Sequence, residues 1–340
     1  MAKKKFSEYS EDANDTQDLI LFRELSAKES KDFETEPQQY VDQEDKIHLV
    51  YKLIPFGGNY LYSLLIMNES TAPITEVKIR IIIPDFFELC RSTPPTLTIE
   101  SLQSEDESNG DVIKEHQVKM EFELLKGNSQ KQINLYLCPL SLEKKGKLRS
   151  FITFVNNADF IRAIDTESIN IELNPFSIER KIIPRSEIKR FLEKPWIKKA
   201  NKSIGIGIDG IYDDNYFFDL IVKTIQDNNF QLIQKNQSNK ISWFCGTDLV
   251  SGNDILVIGQ IVAGKVEWLA ASSNPNLLIS VLTNFVNIFT CEMILLGHIS
   301  SEDQVYSLEC KYCGSTLPKF PGRGKTIECN KCNYEQIIWS

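Results

Sequence analysis

Two cysteine pairs have the types and spacing to do chemistry: Cys310-x2-Cys313 and, after fifteen intervening residues, Cys329-x2-Cys332. A CxxC pair lets two thiolates reach one ion from a single tight turn, and two pairs supply the four tetrahedral ligands of a structural zinc site. Gly314 and Asn333, which follow the pairs, are residue types that tolerate the left-handed backbone such a knuckle needs. The spacer GSTLPKFPGRGKTIE reads as a short strand, a Pro/Gly/basic turn and a second strand, which predicts a zinc ribbon. Four thiolates close the coordination shell, so one Zn2+ bound by Cys310, Cys313, Cys329 and Cys332 is expected to hold structure and not to perform catalysis. The competing reading is unpaired thiols or two disulfides. The opening MAKKKFSEYSEDAND has no apolar stretch after its lysines, so a cytoplasmic, reducing setting is expected, which favours metal.

Other chemistry-bearing residues form no such constellation. Cys90, Cys138, Cys245 and Cys291 are scattered singly among apolar residues and read as small buried hydrophobes. Gly205-Ile-Gly207-Ile-Asp-Gly210 matches GxGxxG formally, yet Ala200-Asn-Lys-Ser does not read as the buried strand that a dinucleotide fingerprint requires. These glycines are expected to connect a strand to a helix. His48, His116 and His298 lie apart from any Ser or Cys partner, and carboxylate runs such as Glu105-Asp106-Glu107 read as solvated loops. No catalytic or cofactor-binding residue is predicted, and the chain is expected not to be an enzyme.

The elements that position the cysteines come from pattern. With 340 residues, 42% hydrophobic and 25% charged, the chain has room for two folded domains and the ribbon. Residues 1–45 are acidic and aperiodic and are expected to be a disordered tail, with one acidic-hydrophobic cluster, Asp18–Leu25, suited to a linear motif. From residue 46 to 181, strands are predicted at Ile47–Ile54, Tyr60–Met67, Ile74–Ile83, Thr96–Leu102, Val112–Leu125, Gln132–Leu137, Leu148–Val155 and Ser168–Leu173. Turns such as Pro55-Phe-Gly-Gly58 and Asn109-Gly110 separate them. Eight strands with no helix between them predict an immunoglobulin-like antiparallel β-sandwich.

Residues 182–300 change to α+β. A basic connector over 184–199, with Pro184–Leu192 as one short basic helix that Pro195 terminates, precedes a helix at 213–227 capped by Asp213 or Asp214. Strands Phe230–Gln234, Ile241–Gly246, Asp254–Val262 and Val266–Ala271 form hairpins, and a helix from Pro275 completes an α-β4-α unit with both helices on one face. Ser280, Thr283, Asn284, Asn287 and Thr290 recur at helical spacing in Leu277–Ile299, which predicts an amphipathic core helix and no transmembrane segment. The ribbon occupies 305–340.

Charge is uneven around a net of −9. Residues 177–202 hold nine Lys/Arg against three Glu, with Arg185, Lys189, Arg190, Lys194, Lys198 and Lys199 interleaved with Phe191 and Trp196. Such a stretch suits phosphates or anionic headgroups, or is a solvated helix face packing Ile188, Phe191 and Leu192 inward. The ribbon turn adds Lys319, Arg323 and Lys325.

Within this order, Asn239–Gly246 (NKISWFCG), Ser251–Val257 (SGNDILV), Val266–Ser272 (VEWLAAS) and Arg190–Trp196 (RFLEKPW) carry a family resemblance. The chain resembles the appendage (ear) domain of clathrin-adaptor and coatomer subunits, the coatomer gamma appendage above all, over residues 46–300. In RFLEKPW the aromatic spacing is one residue longer than in that family, and the ribbon has no counterpart there. The resemblance implies an adaptor whose platform groove captures short aromatic or acidic peptides, with Phe191 and Trp196 as its walls. It also implies protein–protein interaction with partners carrying short linear motifs, a small GTPase or coat-like components among them. Vesicle-mediated transport with peripheral membrane association would be the setting. The alternative reading is a transcription- or translation-associated factor whose ribbon contacts nucleic acid through Arg323 and Lys325, helped by Lys198 and Lys199.

Overall fold

The computed structural model describes residues 43–95, 98–105, 112–208 and 213–340, and residues 43–340 form one compact unit. Residues 1–42 of the acidic tail with its Asp18–Leu25 cluster, and Thr96, Asp106, Glu107, Asn109, Gly110 and Gly210, lie outside the described residues, whereas Gln43–Lys46 form a 3-10 turn where the tail is expected to continue to residue 45.

Ten antiparallel strands form a two-sheet sandwich. One sheet has the order β1-β2-β7-β4, from Ile47–Phe56, Asn59–Asn68, Ser129–Pro139 and Phe87–Thr93. The other has the order β10-β8-β3-β6-β5, from Ile169–Leu173, Lys144–Val155, Ile74–Pro84, Val112–Leu125 and Thr98–Glu105, with β9 (Ile161–Asp165) also pairing β8. Period-two alternation builds the core: Ile133, Leu135 and Leu137 are buried while Asn134, Tyr136 and Cys138 are less so. Gly57 and Gly58 alone separate β1 from β2, and both have positive φ (57° and 92°), the two-residue turn that matches strand twist. Tyr62 joins the sheets through Ser150, its hydroxyl 2.7 Å from Oγ.

Strands β4 and β9 are absent from the pattern-based expectation. Phe87–Thr93 carries Glu88, Cys90 and Arg91 without clean alternation, because its pairing with β7 breaks register between Leu89 and Arg91.

The second layer system is a seven-stranded sheet with the order β11-β14-β15-β16-β12-β17, in which β13 also pairs β14. Its strands are β11 (Ile178–Arg180), β12 (Lys198–Ile206), β13 (Gln231–Asn236), β14 (Ile241–Asp248), β15 (Asp254–Val262), β16 (Lys265–Ser272) and β17 (Val305–Ser307). The helices are α1 (Arg185–Leu192), α2 (Asp214–Asp227) and α3 (Pro275–Leu295). Both α2 and α3 pack on one face, around Phe217, Phe218, Trp268, Phe285 and Phe289, as expected from their apolar faces. Helix α1 covers the other face, placing Ile188, Phe191 and Leu192 on Cys245, Leu256 and Ala271. The Asp213 carboxylate accepts from the Asn215 and Tyr216 amides at the start of α2, a cap contributing about 1 kcal/mol.

Three expectations change here. The short basic helix ends at Leu192, ahead of Pro195 as expected, but Lys198 and Lys199 belong to no helical connector and open strand β12. That strand is buried from Lys202 onwards, so a buried strand does lead into Gly205; its neighbours β16 and β17 are antiparallel, which is not the parallel unit of a dinucleotide fold. The polar stripe of α3 does not face solvent: Ser280, Thr283 and Thr290 are buried, and Asn287 donates to the Leu140 carbonyl of the sandwich. Ile279 of the same helix belongs to the sandwich core. Helix α3 is long and apolar enough to cross a membrane by length and composition, and 61% of that stretch is buried in the body, as in a core helix.

Candidate metal centre and platform groove

Each CxxC sits at the tip of a small antiparallel turn. Glu309 bridges Thr316 around the first knuckle, and β18 (Thr326–Glu328) pairs β19 (Glu335–Ile337) around the second. Of the two strand segments read in the spacer, the first pairs back across the first knuckle and the second pairs forward across the second. The two knuckles are built alike. Gly314 and Asn333 have φ of 73° and 57°, and their amides donate to Cys310 O at 2.8 Å and Cys329 O at 2.9 Å.

The four Sγ atoms lie within 4.8 Å of one another, and the close pairs, Cys310–Cys332 and Cys313–Cys329, are each 3.6 Å apart. Sulfurs around one ion with bonds of about 2.3 Å would stand about 3.8 Å apart in a regular tetrahedron. A disulfide would bring its sulfurs to about 2.05 Å. The donor set therefore fits a single structural metal. Burial pushes the Cys313 thiol up, but hydrogen bonds from the Ser315 hydroxyl and backbone, and from the facing thiols, bring it down to about 6. The Lys331 amide points at Cys329 Sγ from 3.5 Å. In the second knuckle a backbone donor thus faces sulfur, as a thiolate requires.

The ribbon does not stand apart. Its leading strand, β17, pairs β12 through Ile204–Ser307, Gly205–Tyr306 and Ile206–Val305. Phe320, Tyr306 and Trp339 form a three-ring cluster, with Phe320 6.0 Å from Tyr306 and 5.5 Å from Trp339 by ring centroids and the latter two 6.3 Å apart. A Cβ on Gly205 would lie 2.1 Å from the Phe320 ring, and one on Gly207 would lie 2.8 Å from Tyr306. Close approach of ribbon aromatics accounts for these two glycines. The buried Lys265 ammonium donates to Leu317 O at 3.0 Å, and Arg91 of the sandwich donates to Tyr312 O at 3.1 Å.

On the other face of the platform sheet, Lys181, Ile183, Glu187, Arg190, Phe191, Lys194 and Asp254 line a cavity of about 290 Å³. Phe191 is half-buried, whereas Trp196 is 60% exposed just beyond the helix. The Lys194 ammonium lies 5.5 Å from the Phe191 ring centre and 6.0 Å from that of Trp196, so one cation ties the two predicted wall residues together. Trp196 is not among the residues lining the cavity itself. Lys181 pairs with Asp254 at 2.6 Å, leaving Arg190 and Lys194 against Glu187 at the mouth.

The remaining candidates are dispersed. Lys198 and Lys199 are exposed at the start of β12, and Arg323 and Lys325 are exposed in the ribbon spacer. His48 meets Glu69 at the surface (3.4 Å), and His298 packs edge-on to Tyr216 and Phe217. Cys245 is buried as expected, but Cys291 is exposed, and Cys90 and Cys138 are not isolated: β4 and β7 bring them together beside Lys202. The missing signal was β4 itself.

No protein-family model matches the chain, and no curated protein does. Among solved structures, an uncharacterized Nocardia farcinica protein with an immunoglobulin-like fold is similar at 8% identity, over 38% of this chain and 99% of its own (TM-score 0.22). A DUF4466 family protein from Parabacteroides merdae is similar at 9% identity over 66% and 98% (TM-score 0.24). The major pilin subunit of Bacillus cereus matches at 11% identity over 48% and 50% (TM-score 0.23). Likenesses this distant carry no argument about function.

Proposed function

We propose that this chain is a non-enzymatic, appendage-like adaptor that binds short acidic, aromatic peptides at the groove beside α1. The observation that carries it is the exposed indole of Trp196, joined to Phe191 by Lys194 at the edge of a cavity. A large aromatic left in solvent costs hydration free energy that a partner can recover, and a few buried anchors dominate such interfaces. Arg190 and Lys194 would steer acidic segments to it. The family resemblance of the sequence motifs supports the same reading and supplies its setting: a cytoplasmic, peripherally membrane-associated role in vesicle-coat-like transport. Zn2+ is the metal proposed for the ribbon, because a closed tetrahedral thiolate set favours zinc among cytosolic divalent ions. In this reading the ribbon is a second interaction device, bridging the captured peptide's owner to another protein.

Peptide display on the full-length chain, counter-selected on Trp196→Ala, tests the groove. Binders with a Phe or Trp among Asp and Glu, weakened at least about tenfold by Trp196→Ala, are expected; that loss corresponds to about 1.4 kcal/mol. Binders indifferent to Trp196 would refute the site. If the nucleic-acid alternative were correct, binding would instead fall steeply with salt and depend on Arg323, Lys325, Lys198 and Lys199.

A further inference from the structure

The sandwich, the platform and the ribbon meet at one buried polar cluster. Cys138 of β7 lies opposite Glu88 of β4, Leu137 opposite Leu89, and the register then breaks before Arg91, so Cys90 is the bulged residue. A bulge re-aims its side chain. Here it leaves the Cys90 and Cys138 thiols as interacting neighbours, with Cys90 Sγ also 3.8 Å from Glu88 O and Cys138 Sγ 3.7 Å from Pro139 O. On the other side of Cys138 stands Lys202 of β12, only 7% exposed, with its ammonium 3.1 Å from Cys138 Sγ. That ammonium also donates to Asn59 Oδ1 and lies 3.8 Å from Glu309, to which Asn59 donates in turn.

A buried ammonium requires a close anion or it loses several kcal/mol of hydration without return. Glu309 is at the outer limit of pairing, and the sulfur is nearer. The Cys90 hydrogen bond and the Lys202 charge outweigh burial and bring the Cys138 thiol down to about 6. The same hydrogen bond, with burial, pushes Cys90 well up. The two shifts are opposite in direction, so Cys138, beside the Lys202 ammonium, is the thiol of the pair that ionises first. Cys90, Lys202 and Glu309 are the titratable groups that face it. Both cysteines are half-buried residues.

We propose that Cys90 and Cys138 form a peroxide-sensitive dithiol, oxidised by hydroperoxides to an intramolecular disulfide. The Cys138 thiolate attacks a peroxide oxygen; the O–O bond breaks, hydroxide leaves and is protonated by solvent, and Cys138 becomes a sulfenic acid. The Cys90 sulfur then attacks the Cys138 sulfur; the S–O bond breaks, and the departing hydroxide takes the Cys90 proton as water. Two electrons pass from sulfur to hydrogen peroxide, and two waters leave. The product carries no charge, so Lys202 loses its nearest anion at the point where Glu309 leads into the first knuckle.

The test treats the zinc-loaded full chain with hydrogen peroxide, blocks remaining thiols, digests without reductant and maps linkages by mass spectrometry. A dithiothreitol-reversible Cys90–Cys138 peptide is expected before any change at the exposed Cys291, with an oxidation rate in the wild-type chain that levels off above about pH 6–7. In Lys202→Met the Cys138 thiolate loses its nearest cation, so oxidation at pH 6 slows about tenfold and its midpoint moves to higher pH. Cys90→Ser should leave Cys138 as a sulfenic acid that dimedone traps. Absence of the linked peptide while both cysteines remain alkylatable would overturn the proposal. A wild-type midpoint near pH 8–9 would do so equally, whether or not the Lys202 variant folds.

Discussion

Trp196 and Gly205 show how differently single residues contribute. Trp196 is 60% exposed, so Trp196→Ala should leave thermal stability within about 0.5 kcal/mol of wild type while abolishing peptide binding. A loss of stability would mean that the indole is a packing residue. At Gly205 any side chain meets the Phe320 ring, so Gly205→Val should cost about 1–3 kcal/mol and expose ribbon amides to exchange. Buried phenols give a pH signature. Burial pushes Tyr60 and Tyr62 up to about 12. Unfolded tyrosine ionises near about 10, so these two rings contribute stability in full below that pH and lose it as pH rises through about 12. Absorbance titration should show them ionising last, together with unfolding; early, reversible ionisation of every tyrosine would contradict their burial.

Among the elements, the ribbon and β12 depend on each other. Ligation in small zinc peptides supplies about 10–16 kcal/mol, and a segment this short buries too little to fold without it. From sequence, an isolated ribbon would unfold alone. The pairing of β17 with β12, the Phe320 stack and the Lys265–Leu317 bond predict otherwise. Chelation or Cys313→Ser should lower the melting temperature of the whole body by about 5 °C or more and increase exchange along β12. An unchanged body transition would show that docking contributes nothing. Legibility followed the same division. The knuckles were readable because CxxC, Gly314 and Asn333 are local requirements, and α2 and the β13–β16 meander because their apolar periods and turns are local too. Strands β4 and β12 were not, because a bulge masks the alternation of one and Lys198-Lys-Ala-Asn-Lys202 disguises the other as a basic connector. The Cys90–Cys138–Lys202 cluster depends on both strands, so it was invisible from sequence.

At the scale of the molecule, α3 serves two cores at once, and its polar stripe is the seam between sandwich and platform. The cavity beside α1 lies on the opposite face of the seven-stranded sheet from α3. The N-terminal segment is strongly acidic, with thirteen Asp/Glu in residues 1–46, and contains the Asp18–Leu25 cluster. Affinity capture from the protein's own cell lysate, run beside Trp196→Ala and read by mass spectrometry, tests the adaptor reading most directly. The account predicts small GTPases, coat-like components or acidic disordered proteins that the variant loses. Polymerase subunits, ribosomal proteins or nucleic acid retained by the variant would contradict it and move the function to the ribbon.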